Sequence, residues 1–167
     1  EYQSGSTQLL GFAIRKAVNK PIAEYASEKL WKPLGMEQSA DWTVDENAME
    51  KTFCCIQSNS RDFAKLGQLF LDDGKAGDLQ ILNYGFIEKM RTPTNLSKGA
   101  YGMGLWINYD AAVKHYYFWG LYGQYIIVIP DKQMIVVRTG TYKDQPKDAK
   151  GRPEQVKFIV NEVVKSF

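Results

Sequence analysis

Residues that could do chemistry sit near the two ends of the chain. Tyr2-Gln3-Ser4 stands immediately before a helix start, and far downstream Gly120 to Gln124 spells Gly-x-x-Gly-Gln just ahead of a strand. Hydroxyls and backbone amides of this kind suit acid–base and hydrogen-bonding chemistry. Tyr101, Trp106, Tyr117, Trp119 and Tyr122 gather about the second stretch, where aromatic rings either fill a core or line a pocket. A tyrosine beside a helix start is usually packing, so neither stretch identifies a reaction by itself.

Other chemistries have less support. His115 is the only histidine and there is no Cys-x-x-Cys pair, so neither a metal site nor any other cofactor is expected. Cys54 and Cys55 are adjacent and are expected to be buried free thiols. Gly102-Met103-Gly104 lacks the third glycine and the following helix of a nucleotide loop, so it reads as strand. Asn95-Leu96-Ser97 fits a glycosylation tripeptide that arises often by chance.

The elements that must position these residues follow from periodicity. His115 to Gly140 contains dense apolar and aromatic runs broken by Gly120, Gly123 and Pro130-Asp131-Lys132-Gln133, which predicts a β-meander covered on both faces. Tyr101 to Ile107 is expected to be the strand before it. Upstream, a helix capped at Ser6 carries Leu9, Leu10, Ala13, Ile14, Ala17 and Val18 on one face, and Pro21 opens a second helix that stops before Pro33. Residues 37–57 read as loop. Ser58 or Ser60 caps a third helix with Phe63, Leu66, Gly67 and Phe70 on its inner face and Gly74 closing it. A turn over Lys75 to Asp78 leads to a short helix near Asn83 to Met90. Lys143 to Arg152 is expected to be an exposed loop, and Pro153 to open a last helix with Val156, Ile159, Val160, Val163, Val164 and Phe167 in a stripe. The expected fold class is α+β, helices first and a mainly antiparallel sheet after.

Composition agrees with one domain or a large piece of one: 167 residues, 44% hydrophobic. The net charge is only +2, with no basic stripe, so nucleic acid is not an expected partner. No apolar run approaches the roughly 20 residues that span a bilayer, and no signal peptide is expected ahead of Tyr2.

Five short motifs occur in a fixed order: Tyr2-Gln3-Ser4 with Leu9-Leu10-Gly11; Pro33-Leu34-Gly35-Met36; Ser58-Asn59-Ser60-Arg61-Asp62-Phe63-Ala64-Lys65-Leu66-Gly67; Tyr101-Gly102-Met103-Gly104-Leu105-Trp106; and Phe118-Trp119-Gly120-Leu121-Tyr122-Gly123-Gln124-Tyr125 running to Pro130. Each is weak singly. Together they resemble the serine β-lactamase and DD-peptidase-like hydrolases, in the class C β-lactamase and esterase branch, over nearly the whole chain. Ser4 stands where that branch has Asn in Tyr-x-Asn. In the third motif, Lys or His followed by any residue and Gly, Phe118 takes the cation's place, or a gapless alignment from Gly123 puts His115 there. The short Gly120-to-Gln124 turn favours Phe118.

The resemblance implies a partial β-lactamase/transpeptidase-like fold and acyl transfer, in which a serine attacks an amide or ester carbonyl and water releases the acyl-enzyme. None of the eight serines has Lys three residues on, so the family's Ser-x-x-Lys nucleophile motif is absent and the chain reads as the C-terminal portion of a longer hydrolase, 1–99 its helical part and 100–167 its sheet strands and last helix. Tyr2 would relay the serine proton, Ser4 would hydrogen-bond in place of the Asn amide, and the Leu121 backbone N–H would complete an oxyanion hole. Phe118, Trp119, Gly120, Tyr122 and Gln124 would contact substrate. Tyr2 and the Gly120 turn are expected to line one cleft. With no third-motif cation, an esterase, amidase or peptidase is at least as well supported as a β-lactamase. A non-catalytic module binding peptide or glycan is the alternative. The chain by itself is expected to be inactive, and its sheet to leave an edge open to pairing between copies or with a missing N-terminal segment. The family's usual compartment implies a periplasmic or extracellular location.

Overall fold

A computed structural model describes residues 3–167, and the chain divides into two compact units, Glu1–Asp62 and Phe63–Phe167. The expected α+β class is the one observed, helices preceding an antiparallel sheet.

In the first unit, α1 (Ser4–Val18) starts three residues earlier than a Ser6 cap would allow, with Gln3 in the cap position. The spacing found the helix but not its burial: only Gly11 is buried, and Leu9 is 68% exposed. Pro21, whose φ is fixed and which lacks an N–H, caps α2 (Ile22–Ala26), which runs on as a π-helical turn, Ser27–Trp31. Residues 37–57 are not all loop, since β1 (Asp41–Trp42) pairs antiparallel with β2 (Ile56–Gln57). Two buried carboxylates hold this loop-rich region. Glu50 accepts from the Ala23 N–H at 3.0 Å and pairs with Arg15 at 3.3 Å, while Asp62 accepts from the N–H groups of Glu37 and Gln38 at 2.7 and 3.1 Å. Burying them is tolerable because their oxygens receive donors. The Asn59 side chain accepts from the Asp62 N–H at 2.9 Å, so Asn59 does the capping expected of Ser58 or Ser60.

Cys54 and Cys55 are joined to each other in a disulfide, and Cys55 is exposed with φ +77°. This corrects the expectation of buried free thiols. A disulfide between neighbours closes a ring with no chain inside it, a geometry that the usual Cα spacing excludes but that a positive-φ residue permits.

The second unit contains the remainder of α3 (Ser60–Leu71), whose end is closed by Gly74 at φ +86°, donating its N–H to Leu69 O at 2.7 Å. The expected turn at Lys75 to Asp78 is a small hairpin, β3 (Lys75–Ala76) with β4 (Leu79–Gln80), ahead of α4 (Tyr84–Arg91). The expected strand Tyr101 to Ile107 is mostly a turn: Gly104 takes φ +81°, Tyr101 bridges Trp106, and only β5 (Trp106–Asn108) is extended.

The meander is as expected. Strands β6 (His115–Gly120), β7 (Gln124–Ile129) and β8 (Met134–Arg138) follow β5 in the antiparallel order β5-β6-β7-β8. Dense apolar runs fit because both faces are covered. Tyr116, Val128, Leu105 and Ile107 pack with Phe70 of α3 and Ile87 of α4. Tyr117, Tyr125, Ile127 and Ile129 pack with Val156 and Val160 of α5 (Glu154–Ser166), for which Pro153 is the cap. Alternation along β6 and β7 thus feeds two cores. Lys143 to Arg152 does not stay wholly in solvent: Arg152 is 8% exposed and pairs with Asp110 and Asp148.

Candidate active site

The β6–β7 hairpin brings most candidate residues of the second unit together. Its turn is Leu121-Tyr122-Gly123, bracketed by the cross-strand pair Gly120 and Gln124. Tyr122 and Gly123 both take positive φ, +60° and +81°, which lets three residues reverse the chain. Leu121 stands in the turn and is 74% exposed.

Below the turn, neighbouring side chains go to opposite faces. Phe118 packs edge-on to Phe70 at 5.0 Å between centroids, in the core against α3. Trp119 lies on the α5 side, where its indole N–H donates to Gln145 Oε1 at 3.1 Å and the Lys147 ammonium sits 5.1 Å from its ring. Trp119 also meets Trp106 edge-on at 4.9 Å, and Trp106 meets Tyr101 at 5.3 Å. The aromatic cluster read from the sequence is therefore real for Tyr101, Trp106, Tyr117 and Trp119, whereas Tyr122 stays exposed.

Gln124 is committed to backbone. Its side-chain amide donates to Gly140 O and accepts from the Gly140 N–H at 3.1 Å. Gly120 leaves room for it, because a Cβ there would meet Gln124 Cβ at 2.9 Å.

His115 occupies the opposite end of β6, paired with Asn108, and is 1% exposed. Its Nδ1 faces the Val113 carbonyl at 2.8 Å, which can only accept, so Nδ1 carries the proton and Nε2 accepts from the Asn108 amide at 3.2 Å. Burial pushes its pKa below the usual imidazole value, which keeps it neutral. Phe118 stands directly before Trp119-Gly120, nearer the turn than His115.

Ser4 opens α1 in the first unit and is partly exposed. Tyr2 lies outside the described residues. Among the described residues no group of three or more His, Cys, Asp or Glu could hold a metal, and no helix is long and apolar enough to cross a membrane.

Sequence reasoning missed Arg138 and Arg152. Arg138 ends β8 and donates to Gly123 O, beneath the turn. Arg152 donates to Asn108 Oδ1 at 2.8 Å and pairs with Asp110 and with Asp148 at 2.7 Å. These contacts hold the Asp110 carboxyl well below the usual range, through its bonds to Arg152 and then Lys150. They line an open groove of about 760 Å³ beside α5 that includes Asn108, Tyr142 and Phe158 but none of the turn residues. No local pattern announces either arginine, since Gly123 lies 15 residues from Arg138, and Asn108 and Asp110 lie 44 and 42 residues from Arg152.

The sequence profile described as Beta-lactamase matches residues 1–161. The chain belongs to the Beta-lactamase family. It is 26% identical over 90 residues to a 6-aminohexanoate-dimer hydrolase of Paenarthrobacter ureafaciens, covering 54% of this chain and 23% of that protein. A solved structure of a provisionally named 6-aminohexanoate-dimer hydrolase from Bacillus anthracis matches 99% of this chain and 42% of that one, at TM-score 0.82 and 26% identity. A β-lactamase structure from Mycobacterium bovis shares the fold at TM-score 0.66 and 14% identity, with 96% of this chain and 63% of that chain covered. This family member therefore spans under half the length of the Bacillus anthracis structure and about a quarter of the curated relative.

Proposed function

We propose that these residues form the C-terminal part of a serine hydrolase that opens an amide or ester bond through an acyl-enzyme. The supporting observation is the family match over residues 1–161, together with a hairpin whose turn carries the exposed Leu121. In this reading a serine of a Ser-x-x-Lys segment, which these residues do not contain, attacks the carbonyl. Tyr2 takes the serine proton and passes it to the leaving group, Ser4 hydrogen-bonds beside it, and the Leu121 N–H donates to the oxyanion. Gly120 and Tyr122 lie beside the substrate, Phe118 and Trp119 brace the hairpin beneath them from its two faces, and Gln124 supports the turn.

Relatives named for hydrolysing a dimer of 6-aminohexanoate, an amino acid, favour an open-chain amide over the strained ring amide of a β-lactam. The missing third-motif cation points the same way, because Phe118 offers no charge to a β-lactam carboxylate. A periplasmic or extracellular site of action and a small-molecule or peptide substrate belong to this proposal.

The second reading is a non-catalytic module that binds peptide or glycan, which absence of a Ser-x-x-Lys from the upstream coding sequence would favour. The two part on one experiment: expression of this chain with its upstream coding sequence, followed by steady-state assays on 6-aminohexanoate dimer, p-nitrophenyl esters and nitrocefin. Turnover abolished by Tyr2→Phe supports the enzyme. Full-length protein that turns over none of them, while still binding peptide or glycan, overturns it.

A further inference from the structure

The candidate oxyanion turn is an exposed hairpin tip, the kind of segment that ordinarily moves. Here it is fastened, at three consecutive residues, to the end of β8 and the segment after it. Tyr142 N–H donates to Tyr122 O at 3.0 Å, Arg138 Nη1 donates to Gly123 O, and Gln124 exchanges two hydrogen bonds with the Gly140 backbone. The strand register puts Gln124 on the face of Phe118 and α3, and Arg138, opposite Tyr125, on the face of α5. The tip is therefore gripped from both faces of the sheet.

Two glycines make the grip fit. A Cβ on Gly120 would meet Gln124, and one on Gly123 would lie 2.6 Å from Arg138 Nη1. The restraint also sustains Tyr122 at φ +60°, a conformation that costs a non-glycine residue free energy. Arg138 forms no ion pair among the described residues, so its charge stays directed at the turn.

We infer that Gln124 and Arg138 are positioning residues that hold the Leu121 amide in its oxyanion-binding orientation. This rests on the hydrolase reading above. Catalysis by an amide donor depends on aim, and losing one such donor costs about 100- to 1,000-fold in kcat, so a donor left in place but loosened should cost roughly 10- to 100-fold. The effect should fall on kcat rather than KM, because the oxyanion forms only beyond the ground state.

The test uses the full-length protein with Gln124→Ala, Gln124→Glu and Arg138→Met. Hydrogen exchange of the peptide covering 120–124 should quicken about tenfold in Gln124→Ala and Arg138→Met while α5 is unchanged, since local opening controls exchange there. On a p-nitrophenyl ester, kcat should fall roughly 10- to 100-fold with KM within about twofold. Gln124→Glu should recover relative to wild type as pH falls, because the neutral acid regains the donor that Gly140 O requires, a signature a purely structural loss would not give. Unchanged exchange, or a loss carried by KM, overturns the inference. Faster exchange in the variants, in a full-length protein whose wild type hydrolyses nothing, leaves the restraint standing and removes the hydrolase reading instead.

Discussion

Arg152 donates to the side-chain oxygen of Asn108 at 2.8 Å, and the same amide's nitrogen reaches His115, so a loop arginine and the chain's one histidine belong to a single buried chain of hydrogen bonds. The loop before α5 is locked to β5 and β6 in this way. Arg152→Met should destabilise the protein by roughly 2–3 kcal/mol, less than the full cost of breaking a buried pair because Asp110 is half exposed. Urea unfolding monitored by tryptophan fluorescence measures it, and a change under about 0.5 kcal/mol, the range of an ordinary surface substitution, would contradict it.

The same network sets a pH dependence. His115 is buried neutral, so its folded pKa lies below its unfolded value near 6.5. The unfolded chain then binds more protons as pH falls, and the contribution of His115, complete above about pH 7, is lost progressively below it. The carboxylates of Asp110 and Asp148, also depressed, act only under about pH 4 to 5. Melting temperature should therefore decline between pH 7 and 5.5 in the wild type, and that slope should vanish in His115→Gln.

Helix α3 meets the sheet at Gly67, where a Cβ would lie 2.8 Å from Ile135 and 3.0 Å from Ile126. Gly67→Ala should cost about 1–3 kcal/mol by overpacking, despite the helix propensity it gains. An unchanged or raised melting temperature would show that α3 can back away from β7 and β8.

The Cys54–Cys55 bridge closes a ring holding no other residue, so its reduction should change stability by only on the order of 1 kcal/mol. Iodoacetamide should label neither cysteine of the denatured protein before reduction and both after it. Labelling without reductant would restore the free thiols that adjacency alone suggests.

Where burial repeats with a local period, the sequence was legible. The meander, the inner face of α3 and the stripe of α5 are each written in consecutive residues, and their predicted spans match closely, except that Phe167 ends the stripe exposed beyond α5. Residues 37–57 were not, because β1 and β2 are two residues each and are held by Glu50 and Asp62 through backbone amides that leave no periodic trace. The aromatic cluster and the hairpin turn could be anticipated from Gly120, Gly123 and Trp119, but not the partners of the turn. Gln124 reads as a polar residue free to meet a ligand until Gly140 is seen to occupy both ends of its amide.

The hydrolase account is tested most directly by intact-mass analysis after exposure to a fluorophosphonate probe. The full-length protein should gain one adduct, mapped to a serine with lysine three residues on, while residues 1–167 by themselves gain none and hydrolyse neither nitrocefin nor p-nitrophenyl esters. Adduct formation or turnover by residues 1–167 alone, or a full-length protein that stays unlabelled, would contradict it.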